Sequence, residues 1–234
     1  MSALPAAARR ALETATLCHV AARTPAGPHL TPVVFILDGG ALWMTTSRTA
    51  VKARAWRREP VVSGVARTDE AAVVFRGRVR IHDPVDPRSW PDITAGPSVA
   101  RATARFALRN ARFFAGYAVD APKVPLAWGP AGRQFVRLSL DDGVVVDPET
   151  DERIAAWGTW PVRGSAAFLP SYATATRARS LDLRAPADVR RAVGTHGVGA
   201  LAVEGRDGPL ALPVRWRRRA AEGAYEATLP VGLL

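Results

Sequence analysis

The chain repeats part of its own sequence. A displacement of 181 residues aligns residues 5–35 with residues 186–216, and 11 of these 31 positions are identical without a gap. Both copies contain the spacing Gly-Pro-x-x-x-Pro-Val-x-aromatic, at Gly27–Phe35 and at Gly208–Trp216. An internal repeat indicates one structural unit that occurs twice, so we expect the two copies to fold alike.

Each copy has the pattern of a short helix followed by three strands. A proline lies in the first helical turn, where its missing N–H is not needed. The strands of the first copy are predicted at Thr16–Arg23, His29–Leu37 and Ala41–Thr46, and those of the second at Val198–Glu204, Leu210–Arg217 and Ala224–Leu229. Further strands are predicted for the first copy at Val61–Ala66, Ala71–His82 and Gln134–Leu140, and these have no counterpart in the second.

The middle strands of the two copies differ on one face, since side chains alternate between the faces of a strand. The second copy carries Arg215 and Arg217 there, whereas the first copy has Val34 and Ile36. We therefore expect the first-copy strand to be buried on both faces, with a partner subunit, the second copy or a flat ligand as the cover. Pro32 removes a ladder donor, which predicts a strand edge or a bulge.

Two segments between the copies differ in composition from the predicted strands. Residues 98–118 are helical by composition, and residues 141–173 are rich in turn formers. In the second segment, DDG at 141–143 and DPETDE at 147–152 predict surface turns. Neither these carboxylates nor the four histidines have the spacing of a metal site, so no metal is expected.

Charge and cysteine content limit the compartment and the partners. The net charge of +11 is compatible with nucleic acid, a membrane surface or an anionic small molecule, but the basic residues form no single stripe. Cys18 is the one cysteine, which excludes a disulfide framework and favours a reducing, cytoplasmic location. No apolar run has the length of a membrane span.

The segment TTSRTAVKARAWRREP, residues 45–60, occurs once in the chain. Thr49 is a good N-cap for a helix predicted at Ala50–Glu59. Hydroxyl groups, helix N–H groups and a cation at this point suit a phosphate. Lys52 is one of two lysines among 32 basic residues, and lysine is a compact point charge where arginine is a planar fork. The other interpretation is a capped, solvent-exposed basic helix.

Residues 19–66 also resemble a known family. The motifs are GPHLTPVVF at 27–35, ALWMTTS at 41–47, Lys52, and EPVVSG at 59–64. In this order they resemble the pyridoxamine 5′-phosphate oxidase-like, flavin-binding split β-barrels. The resemblance covers residues 12–82 and, more weakly, residues 134–146. Such motifs are typical of the superfamily and do not identify a substrate.

The resemblance implies a mainly β (α+β) fold, a six-stranded antiparallel split β-barrel with short helices. The barrel is expected over residues 1–150 with residues 98–118 inserted. Residues 151–180 would connect it to residues 181–234, a partial repeat of its first helix and three strands. Family members usually dimerise and bind flavin at the interface, so a homodimer is expected unless the C-terminal repeat replaces the partner.

The resemblance also implies where a cofactor binds. In that family the hydroxyl-rich strand end and the basic residues after it hold the flavin phosphate, and the neighbouring strand lies beside the ring system. Carried over to this chain, the cofactor-binding residues are Thr31, Val33, Val34, Thr45, Thr46, Ser47, Arg48, Lys52 and Arg54. FMN is the expected cofactor, with a deazaflavin as the alternative. No catalytic side chain is identified.

The function implied is that of an FMN-dependent oxidoreductase acting on a small molecule. A deazaflavin-dependent reductase is the alternative within this class. A non-catalytic flavin- or haem-binding protein and a degenerate split-barrel scaffold remain open. A nucleic-acid-associated domain is disfavoured because no recognition motif is present.

Overall fold

The structure is a computed structural model, and it describes residues 3–83, 85–86, 96–111, 132–160, 194–205, 207–219 and 224–233. The described helices are α1 (Ala6–Thr14), α2 (Val51–Arg58) and α3 (Gly96–Arg109). The strands are β1 (Leu17–Thr24), β2 (Gly27–Asp38), β3 (Ala41–Ser47), β4 (Val61–Arg67), β5 (Ala72–His82), β6 (Arg133–Ser139), β7 (Asp142–Val146), β8 (Arg153–Trp157), β9 (His196–Gly205), β10 (Gly208–Arg219) and β11 (Ala224–Thr228). A 3₁₀ turn follows at Val231–Leu233. In this described part, no helix is long and apolar enough to cross a membrane.

Strands β1 to β6 close into an antiparallel barrel. Their spatial order is β1-β2-β3-β6-β5-β4, and β4 pairs back with β1. The alternate, inward-facing side chains fill the barrel, and Val20, Phe35, Met44, Phe75 and Leu138 are fully buried there. The predicted fold class, a mainly β, six-stranded antiparallel split barrel with short helices, is confirmed.

The segment after β6 is a pair of strands and not only a run of turns. Strand β7 pairs with β5, and β8 pairs with β7. The predicted surface turn at 141–143 is therefore wrong, because Asp142 lies in a strand and is 6% exposed. Arg76 donates to its two carboxylate oxygens through Nε and Nη2, each at 2.7 Å, which compensates for its burial. The turn predicted at 147–152 is confirmed, since the Asp147 carboxylate accepts two backbone N–H bonds there.

Helix α3 covers the outer face of β2 and β3. Ala102 and Phe106 of α3 pack against Ile36 and Trp43. Since Phe35 points into the barrel, both faces of this part of β2 are buried, as expected. The element that covers Ile36 differs from the expectation. It is helix α3 of the same chain, and not a partner subunit, the second copy or a ligand.

The C-terminal strands form a second, three-stranded sheet in the order β11-β10-β9. This sheet packs on the outside of the barrel, where Leu212 joins Ala21 and Val65 in one apolar cluster. The backbone N–H of Ala211 donates to the buried hydroxyl of Ser63 on β4. The strands lie where the second copy of the repeat was predicted.

Parts of the predicted domain division lie outside the described residues. These parts are residues 112–118 of the insertion, residues 161–180 of the connecting segment and residues 181–193, which include the helix of the second copy. The predicted boundary at residue 150 falls between β7 and β8. The division and the internal repeat remain predictions.

Candidate functional site

The barrel is split where β2 and β3 diverge. These strands pair only over Phe35–Asp38 of β2. Before that point β2 pairs with β1, whereas the end of β3 pairs with β6. Thr31 and Thr45 therefore lie on opposite sides of an opening between the two strands. Pro32 lies on this open edge of β2 and the β1–β2 register has no irregularity, so the edge prediction is confirmed.

Lys52 approaches one side of the split from α2. Its ammonium group donates to Oγ1 of Thr31 at 3.2 Å. Trp56, four residues later, lies on the same helical face and is buried in the barrel core. Burial of Trp56 holds α2 against the barrel and so directs the half-buried Lys52 towards the split.

Arg133 approaches the other side from β6. Its Nε lies 2.9 Å from Oγ1 of Thr45, and its Nη2 contacts the same oxygen. Arg133 is not identified by a local sequence pattern, because 88 positions separate it from Thr45. The one available signal was the strand predicted at Gln134–Leu140, whose pairing with β3 could not be deduced from the residues.

The two cations are close enough to affect each other. Burial lowers the pKa of Lys52, and the charge of Arg133 lowers it further. No carboxylate of the described residues contributes to this pKa. Because the ligand-free site disfavours the positive charge of Lys52, an anion placed between the two cations would be stabilised.

The N-terminus of α2 has no side-chain cap. The N-cap residue is Ala50, so the prediction that Thr49 caps this helix is wrong. The hydroxyl group of Thr49 instead lies 3.0 Å from that of Ser47. The first N–H groups of a helix have no partner within the helix. This end of α2 therefore offers backbone donors and hydroxyl groups beside Lys52.

A buried carboxylate engages one of the predicted phosphate cations. The Nε of Arg48 lies 2.9 and 2.8 Å from the two carboxylate oxygens of Asp83, and Arg57 lies 3.4 Å from one of them. Burial raises the pKa of Asp83, but the hydrogen bonds from Arg48 and from the backbone of Val85, with the charges of both arginines, outweigh it and leave the pKa below its usual value. Arg48 is thus held by Asp83.

The other predicted cofactor residues are dispersed. Val33 and Thr46 point into the barrel and are 4% and 2% exposed. Val34 lies on the outside, in a groove beside the end of α3. Arg54 is exposed on α2. The residues that the structure brings together around the split are Thr31, Thr45, Ser47 and Lys52, with the addition of Thr49 and Arg133.

A buried histidine lies near this end of the barrel, on β5. The ring of His82 stacks on Trp43, with 5.7 Å between the ring centroids. Neither ring nitrogen has a hydrogen-bond partner in the described part of the chain. Burial lowers the pKa of His82 to about 4, with contributions from Arg80 and Arg137. His82 is therefore neutral at physiological pH and packs as an aromatic ring.

Comparison with known proteins agrees with this architecture. The family model described as pyridoxamine 5′-phosphate oxidase matches residues 5–97. Curated protein sequences gave no significant match.

Three similar solved structures have low sequence identity to the chain. A FAD-binding protein from Mesorhizobium loti is 16% identical, with a TM-score of 0.44, over 61% of this chain and 94% of its own. An F420 reductase is 21% identical, with a TM-score of 0.40, over 58% of this chain and 95% of its own. A pyridoxamine 5′-phosphate oxidase-related, FMN-binding protein from Nostoc punctiforme is 12% identical, with a TM-score of 0.41, over 94% of this chain and 90% of its own.

The segment that matches the family model can be placed on the topology of the barrel. Residues 5–97 contain α1, α2 and the strands β1 to β5. With β6 these strands close the six-stranded barrel. The segment that forms most of this barrel is thus similar to the pyridoxamine 5′-phosphate oxidase family.

Proposed function

We propose that the chain binds FMN, with the flavin phosphate at the split between β2 and β3, and that it acts as an FMN-dependent oxidoreductase on a small molecule. The observation that carries this proposal is the pair of cations Lys52 and Arg133, each hydrogen-bonded to a threonine on its own side of the split. A phosphate monoester carries two negative charges near neutral pH, and such charge-assisted hydrogen bonds are the strong ones.

The side chains at the split fit a phosphate better than they fit a neutral group. Thr31 and Thr45 already accept hydrogen bonds from the two cations. The hydroxyl of Thr31 donates to the carbonyl oxygen of Pro32 at the long distance of 3.5 Å, so its hydrogen could turn to a phosphate oxygen. The uncapped N-terminus of α2 adds backbone N–H groups and a positive partial charge. When bound, FMN would supply the hydride or electron transfer, and the chain would supply binding and orientation.

The binding test uses FMN and riboflavin, which differ by the phosphate. Lys52→Gln and Arg133→Gln are each expected to weaken FMN binding by roughly 10- to 100-fold, since hydrogen bonds to charged groups contribute about 1.5–3 kcal/mol. Riboflavin binding should change by less than about twofold, because riboflavin makes no phosphate contact. Equilibrium dialysis with visible absorption of the retained flavin measures both affinities.

A charge-matched control tests whether the effect is local. Arg58 is exposed at the last turn of α2. Arg58→Gln removes the same charge from the same helix and should leave FMN affinity nearly unchanged. An equal loss in this control would show that general electrostatic attraction accounts for binding, and would refute the phosphate site.

The same assay separates the other candidate cofactors. Retention of a deazaflavin in preference to FMN would identify a deazaflavin-dependent protein, and haem uptake without flavin binding would indicate a haem protein. Binding of none of them would leave the barrel as a scaffold. For a protein that retains FMN, anaerobic reduction by a nicotinamide nucleotide, followed by reoxidation by added electron acceptors, tests the oxidoreductase proposal.

A further inference from the structure

The hairpin β9–β10 repeats the hairpin β1–β2 in register. Leu17 pairs with Val34, and at a displacement of 181 residues Val198 pairs with Arg215. Both turns have glycine in the left-handed region at the start of the second strand, with φ of 108° at Gly27 and 125° at Gly208. Strands β2 and β10 also have the same length of 12 residues. The two hairpins are therefore equivalent structural units.

Equivalent faces of the two hairpins pack against each other. Ala21 pairs with Leu30 across the first hairpin, and Ala202 pairs with Ala211 at the corresponding positions of the second. All four side chains belong to one apolar cluster between the barrel and the C-terminal sheet. In addition, β1 contacts β10 while β2 contacts β9. Such reciprocal contacts are the property of an interface between two copies related by a twofold axis.

An ion pair marks the position of this axis. Nε of Arg23 donates to Oε1 of Glu204 at 2.8 Å, and the two residues are 181 positions apart. They are thus the same position in the two hairpins. Two equivalent atoms are separated by twice their distance from a twofold axis, so equivalent side chains can touch only close to it. The approximate axis therefore passes beside Arg23 and Glu204.

We infer that the C-terminal sheet occupies the place of a second subunit on this face of the barrel, so that the chain is an internal pseudo-dimer closed by the Arg23–Glu204 pair. A homodimer through the same face would bring Arg23 against its own copy, and like charges would repel. The Glu204 carboxylate replaces this repulsion with an attraction and favours pairing within one chain. This inference rests on the hairpins and is independent of the proposed function.

The internal dimer is asymmetric. Ser63 on β4 accepts the backbone N–H of Ala211, whereas the described part of the second copy has no counterpart of α2 or β4. Arg23 also contacts Glu59, at the C-terminal end of α2, with 3.0 Å between Nη1 and Oε1. Arg23 of β1 therefore links Glu204 of the second sheet to the end of α2, the helix that carries Lys52. The part of the chain that the structure describes contains one copy of the candidate phosphate site.

Cysteine cross-linking tests the inference on the full-length chain. The variant Arg23→Cys/Glu204→Cys is treated with a short bismaleimide over a range of protein concentrations, and the products are identified by intact mass. We expect an intrachain cross-link at monomer mass whose yield does not depend on concentration. The single variants Arg23→Cys and Glu204→Cys should give no covalent dimer. Cys18 is fully buried, so unsubstituted protein is the background control.

Covalent dimers from Arg23→Cys alone would overturn the inference, because they require the same face of two chains to meet. Interchain products from the double variant would overturn it as well. A second measurement on the unsubstituted chain does not depend on the folding of these variants. Hydrogen exchange should find the amide of Ala211 protected at every protein concentration. Loss of that protection on dilution would show that the sheet is held by another chain.

Discussion

The ammonium group of Lys52 lies 3.2 Å from the hydroxyl oxygen of Thr31, although burial and the charge of Arg133 both lower the pKa of this lysine. A half-buried cation beside a second cation does not stabilise a ligand-free fold. Ionisable groups with shifted pKa values are concentrated at binding sites. The arrangement is therefore consistent with a positive charge that is retained for an anionic ligand. The residue should then be more important for ligand binding than for stability.

Lys52→Met should raise the free energy of unfolding of the ligand-free protein by about 0.5–1 kcal/mol at neutral pH. The pKa of Lys52 in the folded state lies below its unfolded value of 10.5. The charged lysine therefore destabilises the folded state fully at any pH below the folded-state pKa, and this destabilisation disappears as the pH rises to 10.5. The gain should therefore disappear near that pH. Urea denaturation at neutral and alkaline pH measures it, and a marked loss of stability in the variant would contradict this interpretation.

Asp83→Asn should lower the free energy of unfolding by about 2–3 kcal/mol at neutral pH, because the substitution leaves Arg48 and Arg57 without their buried carboxylate. The folded-state pKa of Asp83 is below its ordinary value of 3.8, so its contribution is present above pH 3.8 and is lost as the pH falls through the folded pKa. The two proteins should converge in acid. The exposed Asp69 provides the control, and Asp69→Asn should have little effect at any pH.

Gly77→Ala should unfold the barrel or destabilise it by more than about 3 kcal/mol. A Cβ atom at residue 77 would lie 1.7 Å from the backbone oxygen of Ser139, where β5 passes from β6 to β7. Gly96→Ala is the matched control, since its Cβ would meet no atom within 4 Å. Thermal unfolding of both variants decides the matter, and similar melting temperatures would disprove the steric argument.

Ser63→Ala should loosen the C-terminal sheet without unfolding the barrel. The substitution leaves the buried N–H of Ala211 without its acceptor, which costs about 1–3 kcal/mol. Hydrogen exchange of the Ala211 amide should accelerate, while the amide of Val74 on β5 should keep its protection. Equal acceleration at both positions would mean that the sheet and the barrel open as one unit.

The strands of the barrel were predictable because their side chains alternate and because each strand begins and ends at residues typical of turns. The edge at Pro32 was predictable for a similarly local reason, the missing amide donor. Strand β7 was missed because Asp142 looks like a turn residue, and β8 was missed because it lies in a segment rich in turn formers. The burial of Asp142 in a strand depends on distant partners, the guanidinium group of Arg76, 66 positions away, and the hydroxyl group of Thr159, 17 positions away.

The candidate site was predicted in part. Lys52 and the hydroxyl groups before it are close together in sequence, so a local pattern could indicate them. Arg133 could not be found, since its position opposite Thr45 depends on the pairing of β6 with β3. The contact between Arg48 and Asp83 could not be predicted either, because 35 positions separate the two residues.

Spacing along the chain was enough to predict the repeat, the strand pattern and the one segment with a lysine at a helix start. Tertiary structure alone decided which residues meet across the split. It also decided that α3 covers Ile36 and that Glu204 lies against its own equivalent, Arg23. The physical reason is that side-chain alternation specifies which face of a strand is apolar, whereas the neighbour that covers it is selected by packing between distant segments.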